Sequence, residues 1–185
     1  SIMCGIPEMR VIEFSSPIQA KKLLEKSLNV PEPIYFRSSV EPVKELYSTS
    51  DDFEFGKAKV VKSGQDGAFI CSGVLVQSAV EAAKRIKEKI GKQICVIDMY
   101  SIKPLNREAV KIAAGTGKVI VAQEHNIYGG LGSMVAQVIA EEGISCKFKI
   151  LGLRDEFLSM AHAQYLYHEF EIDADGLEKN MMEFI

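Results

Sequence analysis

The chain has 185 residues, 47% of them hydrophobic, and a formal net charge of −3. That length and hydrophobic share give one folded domain with a core, or one and a fraction, and exclude a disordered chain. The absence of a basic stripe argues against nucleic acid as a partner. No apolar run approaches the roughly 20 residues that span a bilayer, so no membrane partner is expected, and no signal peptide is visible.

Met9 to Phe14 reads as a short strand. Ser15-Ser16-Pro17 is a helix start, a serine cap with proline in the first turn. Ile18, Ala20, Leu23, Leu24 and Leu28 are spaced for one buried face of that helix. Pro31 and Pro33 stop it, and Ile34-Tyr35-Phe36 makes a second strand ended by Arg37. Two strands and a helix do not form a stable sheet alone. Residues 1–40 are therefore expected to be the tail of a larger α/β domain, in a chain that opens on Ser1 rather than Met. Residues 41–57, charged and interrupted by proline, read as a linker.

Residues 58–185 are more regular. Ala58 to Lys62 suits an edge strand, Gly64 to Gly67 a turn and Ala68 to Cys71 a buried strand. Val74 to Ile90 has a helical apolar face (Leu75, Ala79, Ala82, Ala83, Ile86) and a stop at Gly91. Ile94 to Ile97 is the next strand, and Asn106 caps a helix running to Ala114. Val119 to Ala122 is β-branched and apolar, followed by a polar turn, the cluster Gly129-Gly130-Leu131-Gly132 and a helix from Met134 to Glu142. Lys147 to Leu151 is a further strand, and two helices close the chain, about 161–170 and 174–185, the second capped by Asp173. Strands alternating with helices predict a three-layer α/β domain with a mainly parallel sheet.

Four cysteines (Cys4, Cys71, Cys95, Cys146) form no C-x-x-C pair, and two lie inside strands. They read as reduced thiols of a cytoplasmic protein rather than a metal site. His125, His162 and His168 are too scattered to suggest ligands. Backbone N–H groups at the Gly129-Gly130 turn can hold a phosphate. The spacing is not G-x-G-x-x-G, however, and a tight strand-to-helix turn explains the glycines. Glu124 and His125 pair an acid with an imidazole, but no nucleophile is tied to them and neighbours on a strand face opposite sides. Glu124, His125, Gly129 and Gly130 thus read as an interface or regulatory turn. Arg37 stands at a strand's carboxyl end, the ligand side of such sheets, where a guanidinium suits a phosphate. From position alone it reads as a surface arginine. Asp98, Lys103 and Lys118, also near strand ends, receive no role.

Pro7-x-Met9-x-Val11-Ile12 and Pro33-Ile34-Tyr35-Phe36-Arg37 resemble the end of the pyrimidine-binding domain of thiamine-diphosphate enzymes. From Gly64-Gln65-Asp66 onward the chain resembles the transketolase C-terminal domain. Four motifs carry the likeness: Cys71-Ser72-Gly73, Val96 to Leu105, Glu124-His125-Asn126 with Gly129 to Ser133, and Leu151-Gly152-Leu153-x-Asp155-x-Phe157. The wording is most similar to transketolase, especially the form split into N- and C-terminal subunits. 1-Deoxyxylulose-5-phosphate synthase is the runner-up, and the 2-oxo acid dehydrogenase β subunit is more distant.

The resemblance implies an enzyme of the pentose phosphate pathway type. It moves a two-carbon ketol unit between sugar phosphates with thiamine diphosphate and Mg²⁺, both held outside this chain. It implies no catalytic, cofactor-binding or metal residue here, an N-terminal transketolase half as partner, a homodimer, and an isolated chain that is inactive. Arg37 aligns with the family arginine that binds the substrate's phosphate. Departures are Asn106 for Asp, Ala161 for Gly, Ser15-Ser16-Pro17 for Pro-Ala-Asp, and Glu171 for a Gly before the last helix. If residue 171 needs a positive φ, Glu costs about 1 kcal/mol there. The alternative from another class is a non-catalytic interaction or regulatory module that kept the fold.

Overall fold

The computed structural model describes residues 1–40 and 42–185; Glu41, the first residue of the expected linker, lies outside the described residues. A 3-10 turn, Ile2–Gly5, precedes β1 (Arg10–Glu13), α1 (Pro17–Ser27) and β2 (Ile34–Arg37). Ser16 caps α1 as expected, its hydroxyl accepting from the Gln19 N–H at 3.2 Å, with Pro17 in the first turn. Of the expected apolar face only Leu23 is fully buried, while Leu24 and Leu28 are 46% and 85% exposed. The helix lies on its sheet with its outer side uncovered.

β1 and β2 pair in parallel, with Glu13 opposite Arg37. Their sheet has a third strand that the sequence did not reveal. β6 (Ser101–Lys103), far along the chain, pairs antiparallel with β1, giving the order β2-β1-β6. Segment 1–40 is thus stitched to the rest of the molecule by backbone hydrogen bonds. The expected linker also carries core residues: Phe53, 1% exposed, stacks edge-on to Tyr47 and Tyr100 and shares a cluster with Ile12 and Leu23.

The main sheet comprises β3 (Lys59–Lys62), β4 (Gly67–Cys71), β5 (Ile94–Asp98), β7 (Lys118–Asn126) and β8 (Lys147–Leu153). Its order is β3-β5-β4-β7-β8, parallel except for the edge strand β3. Alternation along the strands feeds two cores. Phe69, Cys71 and Val96 pack beneath α2 (Leu75–Ile90) and α6 (Ala174–Phe184). Ala68, Ile70, Val119 and Val121 pack beneath α3 (Arg107–Ala114) and α4 (Leu131–Glu141). This is the three-layer arrangement expected, with α5 (Ala163–Glu169) joining the first core through Leu166 and Tyr167.

Two boundaries differ from expectation. β7 runs nine residues, so the expected polar turn at 123–126 is strand, held by β8 beyond a register shift. α4 starts at Leu131, which puts Gly132 inside its first turn. Glu171 has φ +56°, so the strained conformation considered for that position is present.

Candidate functional site

Arg37 closes β2, and its strand partner in register is Glu13 at the end of β1. In-register neighbours on parallel strands share a face, so the two side chains meet and Arg37 Nη1 donates to Glu13 Oε1. Arg37 Nη2 reaches across to β7, donating to the Glu124 carbonyl at 3.0 Å and to Glu124 Oε2 at 3.2 Å. The guanidinium therefore lies between two carboxylates contributed by different sheets.

Both carboxylates have further partners. Ser72, just past β4, donates to Glu13 Oε2 at 2.5 Å, and Tyr167 of α5 donates to Glu124 Oε1 at 2.6 Å. Gly73 has φ +60°, and a Cβ there would stand 2.8 Å from Glu13 Oε1. Glycine at 73 is thus required both by its backbone and by the room Glu13 occupies. This gives a structural reason for the Cys71-Ser72-Gly73 motif.

Beside Arg37 opens a cavity of about 290 Å³. Its polar end is Arg37, Glu124 and His125; Val11, Ile102 and Leu131 supply apolar wall. His125 approaches Gly130 and Ser1, with Nε2 3.0 Å from the Ser1 nitrogen and Nδ1 2.7 Å from the Asn126 carbonyl. Glu124 and His125 both line the cavity but take different partners: Glu124 pairs with Arg37 and Tyr167, His125 with Ser1 and the Asn126 carbonyl.

The glycine turn has a packing explanation. Gly130 lies against Gln123 and His125, and a Cβ on Gly132 would strike Ile150 at 2.6 Å. The Gly132 N–H, a donor without a helical acceptor at the start of α4, is taken at 2.7 Å by Gln123 Oε1. The buried Gln123 amide thereby satisfies one of the open N–H groups at the start of α4.

A second polar cluster joins the N-terminal segment to the main sheet. Asp98, fully buried at the end of β5, accepts from Ser15 Oγ at 2.8 Å, Gln19 Nε2 at 2.9 Å and Tyr47 OH at 2.6 Å. Burial pushes its carboxyl up to about 6, against the downward pull of those three donors. Burial and the nearby Asp98 charge also push the Tyr47 phenol up. Glu13, Gln123 and Tyr167 were not singled out from the sequence, Ser72 entered only within the Cys71-Ser72-Gly73 motif, and Asp98 was noted near a strand end without a role. The available signals were an acid closing an apolar strand at 13 and at 98.

Among the described residues, His168, Asp173 and Asp175 bring ligand atoms within 4.8 Å of one another on the surface. Each has other work: Asp173 caps α6 and pairs with His168, and Asp175 pairs with Arg85. The donor set does not fit thiamine diphosphate with Mg²⁺ either, because the carboxylates beside the cavity are engaged by Arg37 and the helix N-terminus by Gln123. No helix of the described residues is long and apolar enough to cross a membrane.

Comparison with known proteins agrees with this architecture. The family model described as "Transketolase, C-terminal domain" matches residues 56–177. Over its full length the chain is 33% identical to a subunit of the apulose-4-phosphate transketolase of Phocaeicola vulgatus, covering 59% of that protein. It is 30% identical, over 99% of its length, to a putative transketolase C-terminal section of Methanocaldococcus jannaschii, covering 58% of it. The solved structure of a split gene transketolase, described as an inactive beta4 tetramer, superposes with a TM-score of 0.89 at 30% identity, over 99% of this chain and 59% of that one. The chain thus spans about three fifths of the length of these relatives. With a family model matched over most of its length and a fold shared end to end, the chain belongs to the transketolase C-terminal domain family.

Proposed function

We propose that this chain is the C-terminal section of a two-part transketolase, working with an N-terminal section to transfer a ketol unit between sugar phosphates, and that Arg37 binds the substrate's phosphate. The carrying observation is Arg37 itself, fixed at the carboxyl end of β2 beside the cavity. A guanidinium held in one plane is preorganised for an oxyanion. The relatives named as one subunit of a transketolase and as a C-terminal section support the two-part reading. So do the outer edge of β2 and the exposed Leu24 and Leu28 of α1, which suit a larger α/β domain across residues 1–40, followed by a connector over 41–57 and the C-terminal unit over 58–185.

Thiamine diphosphate and Mg²⁺ belong, on this reading, to the N-terminal partner. The cofactor would supply the carbanion chemistry, and this chain positions substrate and supports assembly as a homodimer of the two-part unit. The end of β7 at Glu124 and His125 and the turn at Gly129 and Gly130 serve as a contact between parts. The four free cysteines support a reducing, cytoplasmic setting.

The test is Arg37→Ala in the complete enzyme. KM for a phosphorylated donor is expected to rise roughly 10- to 100-fold, as for loss of a charge-assisted hydrogen bond, with a much smaller change for the free sugar. Equal losses on both would remove Arg37 from the phosphate site. Calorimetry of the chain alone with thiamine diphosphate and Mg²⁺ is expected to show no binding, and clear binding would overturn the division of labour.

A further inference from the structure

We infer that Ser72 and Tyr167, two hydroxyls of the C-terminal unit, are positioning residues that hold the Arg37 guanidinium in plane through its two carboxylate partners. The inference builds on the reading of Arg37 as the substrate-anion residue and goes beyond it in giving the C-terminal unit a direct part in the site.

Arg37 engages the Glu124 carbonyl and two carboxylates; the carboxylates by themselves would leave its direction soft, because a glutamate side chain has three rotatable bonds of its own. Here neither glutamate is left to rotate. Glu13 uses one oxygen for Arg37 and the other for Ser72, and Glu124 uses one oxygen for Arg37 and the other for Tyr167. Each carboxylate is therefore a bridge between a guanidinium nitrogen and a hydroxyl. The two hydroxyls come from opposite ends of the C-terminal unit.

The anchors are themselves fixed. Ser72 is 3% exposed, and the neighbouring Gly73 lets Glu13 pack against the backbone. Tyr167 is tied at its carbonyl, which accepts from the N–H groups of Ile172 at 2.9 Å and Asp173 at 3.3 Å as the chain turns from α5 into α6. Ile172 is fully buried, so the turn is locked into the core beneath α2. A chain of contacts thus runs from the α5–α6 turn through Tyr167 and Glu124 to Arg37. Held on two sides, the guanidinium cannot turn about its Nε–Cζ bond without breaking hydrogen bonds to charged partners, which are the stronger kind.

Two measurements test this. In the ¹⁵N spectrum of the chain, hindered rotation is expected to give Arg37 separate Nη signals, and Tyr167→Phe is expected to average them. Tyr165→Phe, on the exposed side of the same helix, is expected to leave them separate. In the complete enzyme, Tyr167→Phe is expected to lower the ratio of kcat/KM for a phosphorylated over a free ketose donor about tenfold, the value of one hydrogen bond to a charged group. Ser72→Ala is expected to act in the same direction. Neither is expected to lower the ratio further when Arg37 is already Ala, because a residue that acts only through another is not additive with its loss. Unchanged Arg37 signals in Tyr167→Phe, or a full additional loss on the Arg37→Ala background, would overturn the inference. If Arg37→Ala itself leaves the ratio untouched, the phosphate reading falls, and the Arg37 signals judge the clamp separately.

Discussion

Asp98→Asn is expected to stabilise the protein at neutral pH and to leave it nearly unchanged in acid. The carboxyl is fully buried and pushed up to about 6 from an ordinary 3.8. In the unfolded chain it ionises near the ordinary value, so between these limits the folded protein binds the proton more tightly. The associated stability is complete below about pH 4 and is lost as pH rises through about 6. At about 1.4 kcal/mol per pKa unit, the gap is worth about 3 kcal/mol above pH 7. Asparagine keeps the geometry without titrating. Its oxygen can accept from Gln19 and Tyr47, as Asp98 Oδ2 does, and its amide can donate to Ser15, whose hydroxyl is free to turn and accept. The assay is urea unfolding of both proteins at several values between pH 4 and pH 8, comparing differences only. The lowered carboxyls of Asp51, Asp66 and Glu45, common to both, then cancel. The difference should open with rising pH in favour of asparagine and level off near pH 7, equivalent to roughly 6–12 °C in Tm. A gap that does not change with pH, or a less stable Asn variant at pH 7.5, would refute the assigned environment.

Asp98→Ala, in contrast, strands the donors of Ser15, Gln19 and Tyr47, and urea unfolding should show a loss of about 3 kcal/mol or more. Gly73→Ala forces a side chain into a left-handed backbone and into Glu13; the strain costs about 1 kcal/mol, and the displaced Glu13 should lower selectivity for phosphorylated substrates along with stability. Glu171→Gly relieves the φ of +56° but gives up contacts to Lys179 and Asn180. Its stability should stay within about 1 kcal/mol of the parent, since an exposed pair contributes about as much as the strain takes away. Glu171→Ala keeps the strain and loses the contacts, so thermal melts should place it below Glu171→Gly.

The local features of the fold were legible in the sequence. Ser16, Asn106 and Asp173 each cap their helix by accepting an N–H three residues on, as their residue types and positions predicted. The apolar runs became the central strands, because a strand buried on both faces has a composition no loop shares. What could not be read was pairing at a distance. β6 is three residues long, and its partner lies about 90 positions earlier, so no local pattern marks it. Asp98 received no role because its three donors stand 83, 79 and 51 positions away. The glycine cluster was visible as a tight strand-to-helix turn, but the packing partner at 132 was not visible. The need for glycine at 132 comes from Ile150 on a neighbouring strand.

The same non-local contacts decide how the site is built. Arg37 and Glu13 sit before the connector, and Ser72, Glu124 and Tyr167 sit after it, yet the five form one continuous set of hydrogen bonds. β6 and Asp98 tie the two sides together by independent means, one through backbone pairing and one through a buried carboxylate. A guanidinium supported from one side only would keep its charge but lose its direction, and direction is what distinguishes recognition of an oxyanion from general attraction to it. The C-terminal unit therefore reaches Arg37 directly through Glu124 and indirectly through Ser72 on Glu13. On the clamp proposed above, Ser72 and Tyr167 hold Glu13 and Glu124 in place and so fix where the arginine points.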